Sequence, residues 1–420
     1  MTEMPIKAFS TTEIRRESRR RFTVIQVGAR LHYAVPALFA RAGMLERFYT
    51  DIHAGDWPVR IGLKNRWSAR SQAKPVQRLL GRHLPPEIDS KTASMPCVAL
   101  WKYLRGASCE PNLRTKVLRD GFGDADALYT LSNGDIDVVR AARNSGLLIV
   151  HEQILNPDVG RILREERTRF PGIEPQASLE RIACDEQMDR RQWSAADLLL
   201  APSEFVRKGM IAMGADGSRT TVVEYGISED WFDVTPAPMP GRVLFVGTVG
   251  LRKGSHYVAE AKRILARRGV TLDFRVVGPA APGIVQRGEF EGPTYLGQIP
   301  RSLVAEEFRR ADIFVLPTLS DSFALVHLEA MACGVPVITT PNCGSVVRDG
   351  IDGFIVPIRD PESFADKIEN LVSHRVLRQR MSWNARQRAR EFTWARYGER
   401  LLAAIAAAET RERPTFAFRP

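Results

Sequence analysis

Residues Leu316–Thr340, with the sequence LPTLSDSFALVHLEAMACGVPVITT, decide the fold of this chain. The apolar run Ile313–Leu316, ended by a proline, is typical of a short, buried parallel strand. Helix-forming residues from Phe323 to Ala332 follow, Gly334 ends that helix, and Val335–Thr339 predicts a second strand. The capping residues expected at the helix start are Thr318, Ser320, Asp321 and Ser322. The stretch therefore predicts a strand–helix–strand unit of a doubly wound α/β sheet.

Two carboxylates in this stretch stand eight residues apart, Asp321 at the predicted helix start and Glu329 two turns later. On a helix they are separated by roughly 12 Å along the axis and turned by about 80° from each other. The free N–H groups of the helix N-terminus between them favour phosphate. This span suits a nucleotide sugar, with one carboxylate on the ribose and the other on the sugar. The alternative interpretation makes Asp321 an N-cap and Glu329 a surface charge.

A second pattern suited to phosphate lies earlier in the chain. The strand Arg242–Val246 leads into the glycine-rich turn Gly247–Gly254 (GTVGLRKG), and a helix follows from Ser255. Glycine lets the backbone approach a ligand closely, and Lys253 supplies positive charge. The turn therefore predicts a phosphate cradle, although its spacing of glycine and lysine is not that of a P-loop.

The segment from Asp321 to Ile338 resembles the signature of the retaining glycosyltransferases of family 4 (glycosyl transferases group 1), which reads E-G-F-G-L-V-x-L-E-A-M-A-C-G-x-P-V-I. The matching residues are Phe323, Leu325, Val326, Leu328, Glu329, Ala330, Met331, Ala332, Cys333, Gly334, Pro336, Val337 and Ile338. The chain departs from the pattern at Asp321, Ser322 and Ala324, where the family has Glu, Gly and Gly. Asp keeps the charge of Glu but is one methylene shorter. The resemblance implies a GT-B fold, with two Rossmann-like α/β domains facing across a cleft and a C-terminal helix crossing back to the first domain.

The glycine-rich turn extends this resemblance. In the family it usually reads G-R-x-x-x-x-K-G, and its Arg and Lys grip the donor diphosphate. Lys253 matches the Lys, Thr248 stands where the Arg is expected, and Arg252 takes over the missing charge. The resemblance covers nearly all of residues 241–395, and residues 22–235 only in outline.

The resemblance also implies roles for individual residues. Lys253 and Arg252, with the N–H groups around Ser322 to Leu325, stabilise the leaving diphosphate, while Glu329 holds the ribose and Asp321 the sugar hydroxyls. The residues assigned to catalysis are Asp321, Lys253, Arg252 and His151. The donor-binding residues are Gly247, Thr248, Gly250, Gly297, Ser322, Phe323, Ala324, Leu325 and Glu329. No metal and no cofactor is expected besides the substrate nucleotide diphosphate sugar, and UDP and GDP are not distinguished.

The length of 420 residues suits two domains. The predicted parts are a mobile basic arm (1–21), an acceptor-side domain (22–235), a Pro-rich linker (236–240), a donor-binding domain (241–395) and a crossing helix with its tail (396–420). In the acceptor-side domain, the resemblance implies that the turn after the first strand, with Gly28 and His32, faces the cleft near the acceptor. His151, at the end of a later strand, resembles the histidine that lines the sugar pocket in the family.

Composition limits the partners and the compartment. A formal net charge of +11 favours an acidic partner, namely a nucleotide sugar or an anionic lipid head group, and no motif supports nucleic acid. Tryptophans interleaved with basic residues between 57 and 120 form either a surface for anionic membrane or ordinary solvated helices. Five scattered cysteines, no long apolar window and no signal-peptide pattern predict a cytoplasmic protein, with peripheral contact at the inner membrane face as a further expectation.

Together these patterns predict a glycosyltransferase. It would move a hexose from a nucleotide diphosphate sugar to a hydroxyl of a glycan or lipid-linked acceptor, with retention of configuration, in cell-surface polysaccharide or glycolipid synthesis. Two alternatives stay open. One is a nucleotide-sugar epimerase or sugar phosphorylase of the same fold, and the other is a non-catalytic partner subunit that binds the nucleotide sugar, motivated by the departures at Asp321 and Thr248.

Overall fold

A computed structural model describes residues 20–56, 59, 81–96, 100, 110–132 and 135–410. The basic arm predicted for residues 1–21 lies outside this part of the chain except for its last two residues. The tryptophans of the predicted membrane-facing region, Trp57, Trp67 and Trp101, also lie outside the described residues.

The first domain is built on a seven-stranded parallel sheet with the strand order β3-β2-β1-β4-β5-β6-β7. Its strands are β1 (Phe22–Ile25), β2 (Leu45–Tyr49), β3 (Thr92–Ala93), β4 (Ala127–Leu131), β5 (Leu148–Glu152), β6 (Leu198–Ala201) and β7 (Thr220–Val222). Its helices are α1 (Ala34–Arg41), α2 (Pro86–Asp89), α3 (Glu110–Asp120), α4 (Ile136–Asn144), α5 (Val159–Arg169), α6 (Leu179–Ala195) and α7 (Glu204–Ala212). The central strands are buried throughout and mostly apolar, as expected of parallel strands covered on both faces.

The second domain is built on a six-stranded parallel sheet with the order β10-β9-β8-β11-β12-β13. Its strands are β8 (Arg242–Val246), β9 (Asp273–Val277), β10 (Thr294–Gly297), β11 (Ile313–Leu316), β12 (Val337–Thr339) and β13 (Gly353–Ile355). The helices that follow are α8 (Ser255–Arg267), α9 (Arg301–Arg310), α10 (Leu325–Ala332), α11 (Pro361–Ser373), α12 (Arg375–Ala389) and α13 (Trp394–Glu409).

The strand order brings the two sequence patterns together. In the second sheet β8 lies between β9 and β11, so the winding direction reverses between β8 and β11. A doubly wound sheet opens a crevice at the carboxyl ends of its strands at such a switch point. The glycine-rich turn Gly247–Gly254 follows β8. Residues Leu316–Thr340, called the deciding stretch below, begin at the end of β11, so both segments border the same crevice.

The helix within the deciding stretch departs from the prediction at its start. Helix α10 begins at Leu325 rather than Phe323, its N-cap residue is Ala324, and no side chain caps it. The prediction that the polar residues before the helix cap it is therefore wrong. Asp321 lies before the helix, in extended backbone that pairs with Cys343, so the helical spacing predicted between Asp321 and Glu329 is also wrong.

The C-terminal helix α13 returns to the first domain, as predicted. Just before it, Thr393 forms a parallel bridge with Ile227, whose N–H donates to the carbonyl of Phe392 over 2.9 Å. The ring of Tyr397 packs edge-on against Tyr225, with ring centroids 5.9 Å apart. Helix α13 therefore ties the two domains together. In the described part of the chain, no helix combines the length and the apolar character needed to cross a bilayer.

The return of α13 predicts a strict requirement for glycine at position 226. A Cβ on Gly226 would lie 2.4 Å from the carbonyl carbon of Thr393. The nearest atoms all belong to the backbone of Thr393 and Trp394, so no flexible side chain can move aside to make room. Gly226→Ala should lower the free energy of unfolding by about 1–3 kcal/mol, measured by chemical denaturation. The control is Gly288→Ala, where a Cβ meets nothing within 4 Å. Equal stability of the two variants would contradict this packing.

Candidate active site

A buried ion pair joins the two sides of the crevice between β8 and β11. Lys253 Nζ of the glycine-rich turn contacts Asp321 Oδ2, and Arg252 Nη1 lies 3.7 Å from Asp321 Oδ1. The Arg252 guanidinium also donates to the carbonyl of Ser320 over 3.1 Å. Burial alone would raise the pKa of the Asp321 carboxyl, but the charges of Lys253 and Arg252 outweigh burial and hold that pKa below its ordinary value.

Most backbone N–H groups of the glycine-rich turn already donate to acceptors within the protein. Gly247 donates to Val277, Val249 to Pro279, Gly250 to Ser255 Oγ, Leu251 to Glu174 Oε1 and Gly254 to Leu251. The N–H groups of Thr248, Arg252 and Lys253 have no acceptor among the described residues, and Thr248 is exposed. This turn therefore offers an anion two cationic side chains and a few N–H groups, rather than the full backbone cradle that its glycines predict.

Gly254 brings the turn close to the end of β11. Its φ is +68°, and a Cβ there would lie 1.9 Å from the carbonyl oxygen of Pro317. Only glycine fits such a left-handed position in direct contact with backbone. The neighbouring Lys253 is thereby placed within reach of Asp321.

Across the crevice, the segment before α10 presents unbonded backbone donors. The N–H groups of Ser322, Phe323 and Ala324 find no acceptor in the described part of the chain, while Leu325 donates to the carbonyl of Phe323 over 2.9 Å. The first domain supports this segment, because Ser203 Oγ donates to the carbonyl of Ser322 over 2.6 Å. Free N–H groups at a helix N-terminus favour an anion.

Glu329 stands farther along α10, with its side chain half-buried and its carboxylate without a hydrogen bond to any described residue. Burial raises its pKa to about 7, against the opposing charge of Arg301. Arg301 begins α9, four residues after Gly297, whose φ is +67°. Glu329 therefore belongs to the part of the crevice near β10 and α9, whereas Asp321 belongs to the part near Lys253.

The predicted residues of the first domain lie at the carboxyl ends of its strands. His151 is inside β5 rather than after it; its ring is buried, and neither ring nitrogen has a partner among the described residues. Burial lowers its pKa to about 4, so the imidazole is neutral at pH 7. Gly28, after β1, has a φ of +74° and donates to Asp51 Oδ1 over 2.9 Å. His32 is exposed, within a left-handed turn that also includes Leu31 and Tyr33. A role for these residues stays a prediction.

The carboxylate that follows His151 was not predicted as a site residue. Glu152 is buried at the end of β5 and accepts hydrogen bonds from the hydroxyls of Tyr129 and Tyr225. The ring of Tyr225 packs edge-on against Phe323 of the deciding stretch, with centroids 5.5 Å apart. Burial raises the pKa of Glu152, and the two hydroxyls oppose that shift. Its partners are 23 and 73 residues away in the chain, and no spacing pattern indicates them.

Comparison with known proteins finds relatives of the second domain. Residues 240–374 match the sequence model of a family described as glycosyl transferases group 1. Among curated proteins, a D-inositol 3-phosphate glycosyltransferase from Geodermatophilus obscurus is 33% identical over 241 residues, covering 51% of this chain and 53% of that protein. One of the same name from Nocardia farcinica is 30% identical over 236 residues, covering 47% and 52%. The chain thus spans about half the length of the curated relatives that it matches.

Solved structures establish the fold over the whole described chain. Sucrose-phosphate synthase from Thermosynechococcus elongatus superposes with a TM-score of 0.65 at 18% identity, covering 93% of this chain and 100% of that one. Anabaena HepE, solved in complex with UDP and glucose, superposes with a TM-score of 0.61 at 15% identity, covering 93% and 100%. The predicted GT-B fold is confirmed, and the predicted resemblance to glycosyl transferases group 1 is confirmed for residues 240–374.

The ion pair predicts energetic coupling between Lys253 and Asp321. Lys253→Met leaves a buried carboxylate with Arg252 as its only nearby cation, and should cost about 3 kcal/mol of unfolding free energy. Asp321→Asn in the Lys253→Met background should restore part of that loss, because no buried carboxylate then lacks its lysine partner, and the Arg252 side chain is 35% exposed. Urea denaturation of the two single variants and the double variant measures the coupling. Lys208→Met, on an exposed lysine of α7, is the control, and strictly additive losses would show that the pair is not coupled.

Proposed function

We propose that this chain is a glycosyltransferase that takes a sugar from a nucleotide diphosphate sugar and attaches it to an acceptor hydroxyl. One observation carries the proposal: Lys253 and Arg252 lie on one side of the β8–β11 crevice and the unbonded N–H groups of Ser322 to Ala324 on the other. Preorganised donors on two sides of one position stabilise the negative charge that a diphosphate gains as it leaves.

The diphosphate competes with Asp321 for the same cations. In the structure Lys253 and Arg252 neutralise the Asp321 carboxylate. When the diphosphate takes over these contacts, Asp321 becomes available to accept hydrogen bonds from sugar hydroxyls. The diphosphate then balances the charges of Lys253 and Arg252, while the sugar hydroxyls supply the hydrogen bonds that the Asp321 carboxylate has lost.

The nucleoside occupies the other end of the crevice in this proposal. Glu329 has the free carboxylate suited to accepting hydrogen bonds from two ribose hydroxyls, and the loop after Gly297 packs on the base. The presence of UDP and glucose in the HepE complex supports a nucleotide-sugar donor of this kind. Reaction with retention follows if the leaving phosphate itself takes the acceptor proton on the same face of the sugar.

The acceptor in this proposal is defined only by its chemical class. We favour a glycan or lipid-linked hydroxyl in cell-surface polysaccharide or glycolipid synthesis, at the inner face of the membrane, because the net charge of +11 suits anionic surfaces. The names of the curated relatives add a phosphorylated polyol as a second candidate. An epimerase would convert donor without an acceptor, and a phosphorylase would require free phosphate.

The first test is release of nucleoside diphosphate from a panel of UDP-, GDP- and ADP-sugars, with membrane extract as the source of acceptor. Release from one donor should fall at least 100-fold in Lys253→Ala, because the leaving group loses its main cation. It should fall at least tenfold in Glu329→Ala, and Lys208→Ala should leave it unchanged. Tight nucleotide binding without release of nucleoside diphosphate in any condition would instead favour a non-catalytic partner subunit.

We expect the Glu329 carboxyl to release a proton when the donor binds. Its pKa is about 7 in the free protein, and ribose hydroxyls that donate to the carboxylate stabilise its ionised form and lower that pKa. Donor affinity should therefore rise with pH up to about 7 and then level off. Calorimetry near pH 6.5 in buffers of different ionisation enthalpy, with UDP-glucose as the first probe, measures the proton. Glu329→Gln should abolish the release, and equal release from both proteins would place the titrating group elsewhere.

A further inference from the structure

A fully buried carboxylate of the first domain lies in the contact between the two domains. Glu166, in the last turn of α5, accepts hydrogen bonds from the Tyr257 hydroxyl at 2.5 Å, His256 Nε2 at 3.0 Å and Arg359 Nε at 2.6 Å. All three partners belong to the second domain. His256 and Tyr257 are in the first turn of α8, directly after the glycine-rich turn, and Arg359 follows β13.

This contact is demanding in its geometry. Arg359 has a φ of +61°, which a residue other than glycine adopts only when its surroundings hold it there. Its guanidinium also donates to Glu165 Oε1 at 2.8 Å, and the ring of Phe170 packs edge-on against His256 with centroids 4.6 Å apart. A carboxylate removed from water needs every partner in place, because a missing one leaves a buried charge uncompensated. The buried Glu166 carboxylate therefore needs all three of its partners, whereas the exposed ion pair between Arg359 and Glu165 contributes little.

A second carboxylate of the same segment binds the glycine-rich turn itself. Glu174, eight residues after Glu166, accepts the Leu251 N–H at 2.8 Å through Oε1 and pairs through Oε2 with Arg167 at 3.2 Å. A Cβ on Gly250 would lie 2.7 Å from that Oε1, so the turn closely approaches the first domain. The first domain therefore holds the turn at Leu251 and the helix after it at His256 and Tyr257, on both sides of Lys253.

We propose that Glu166 and Glu174 are positioning residues, which fix the glycine-rich turn so that Lys253 meets the donor diphosphate only while the two domains are in contact. The inference rests on the proposed function. In the described chain, the hydrogen bonds of Glu166 go to His256, Tyr257 and Arg359, and those of Glu174 go to Leu251 and Arg167. Both act through the turn, because Glu174 fixes its backbone and Glu166 fixes the first turn of α8, where Ser255 Oγ accepts the Gly250 N–H. Separation of the domains removes both supports at once.

The test compares Glu166→Gln with Glu165→Gln, a matched control on the same helical turn. The Glu165 side chain is 63% exposed and Arg359 is its only ion-pair partner in the described chain, whereas the Glu166 side chain is fully buried with three partners. Glu166→Gln should raise the donor KM about tenfold or more, with acceptor KM unchanged, and should increase the radius of gyration in small-angle X-ray scattering. Glu165→Gln should change donor KM less than twofold.

Tyr257→Phe removes one hydrogen bond to Glu166 from the other domain and should raise the KM for the sugar donor severalfold. It covers the case in which Glu166→Gln does not fold.

Glu174→Gln keeps an acceptor for the Leu251 N–H but loses the ion pair with Arg167, so donor KM should rise less than in Glu166→Gln. Donor KM that is the same in Glu166→Gln, Tyr257→Phe and Glu165→Gln, with wild-type turnover intact, would overturn the inference and leave the proposed function standing. A wider radius of gyration with donor KM unchanged would also overturn it, because domain contact would then be irrelevant to donor binding. A wild-type chain that releases no nucleoside diphosphate from any donor would contradict the proposed function itself.

Discussion

The contact between Lys253 and Asp321 is the interaction on which the site depends. It links the turn after β8 to the segment after β11, which are neighbours only because the sheet winding reverses between these strands. A buried pair of this kind stabilises little by itself, since desolvation offsets much of the attraction. It does keep a cation and a carboxylate together at the crevice, each neutralising the other until an anionic ligand replaces one partner.

Much of the fold follows from local pattern. The apolar runs that end in proline or glycine mark the strands of the second sheet, and the glycine-rich turn and the deciding stretch fall at the ends of β8 and β11 as doubly wound topology requires. These are short-range signals, because the strand period and the turn chemistry are set within a few residues. The same reasoning covers the first domain less completely, because its long segments between β2 and β4 carry no comparable pattern.

The start of α10 shows where local pattern fails. Asp321 has the chemistry of an N-cap, yet its N–H donates to the carbonyl of Asn342 over 2.9 Å and its carbonyl accepts from Gly344 over 3.2 Å. Backbone pairing with a distant segment outcompetes the local capping geometry, and a propensity scale contains no term for that pairing. The partners of Glu166 lie 90 to 193 residues away in the chain, so local sequence patterns do not predict this contact between the domains.

A crystal structure of the chain with bound UDP would locate the diphosphate. We expect one phosphate oxygen within hydrogen-bond distance of Lys253 Nζ, and another within that distance of an N–H group between Ser322 and Ala324. The ribose hydroxyls should lie against Glu329. A diphosphate bound elsewhere, with the contact between Lys253 and Asp321 unchanged, would contradict the assignment of the β8–β11 crevice as the donor site.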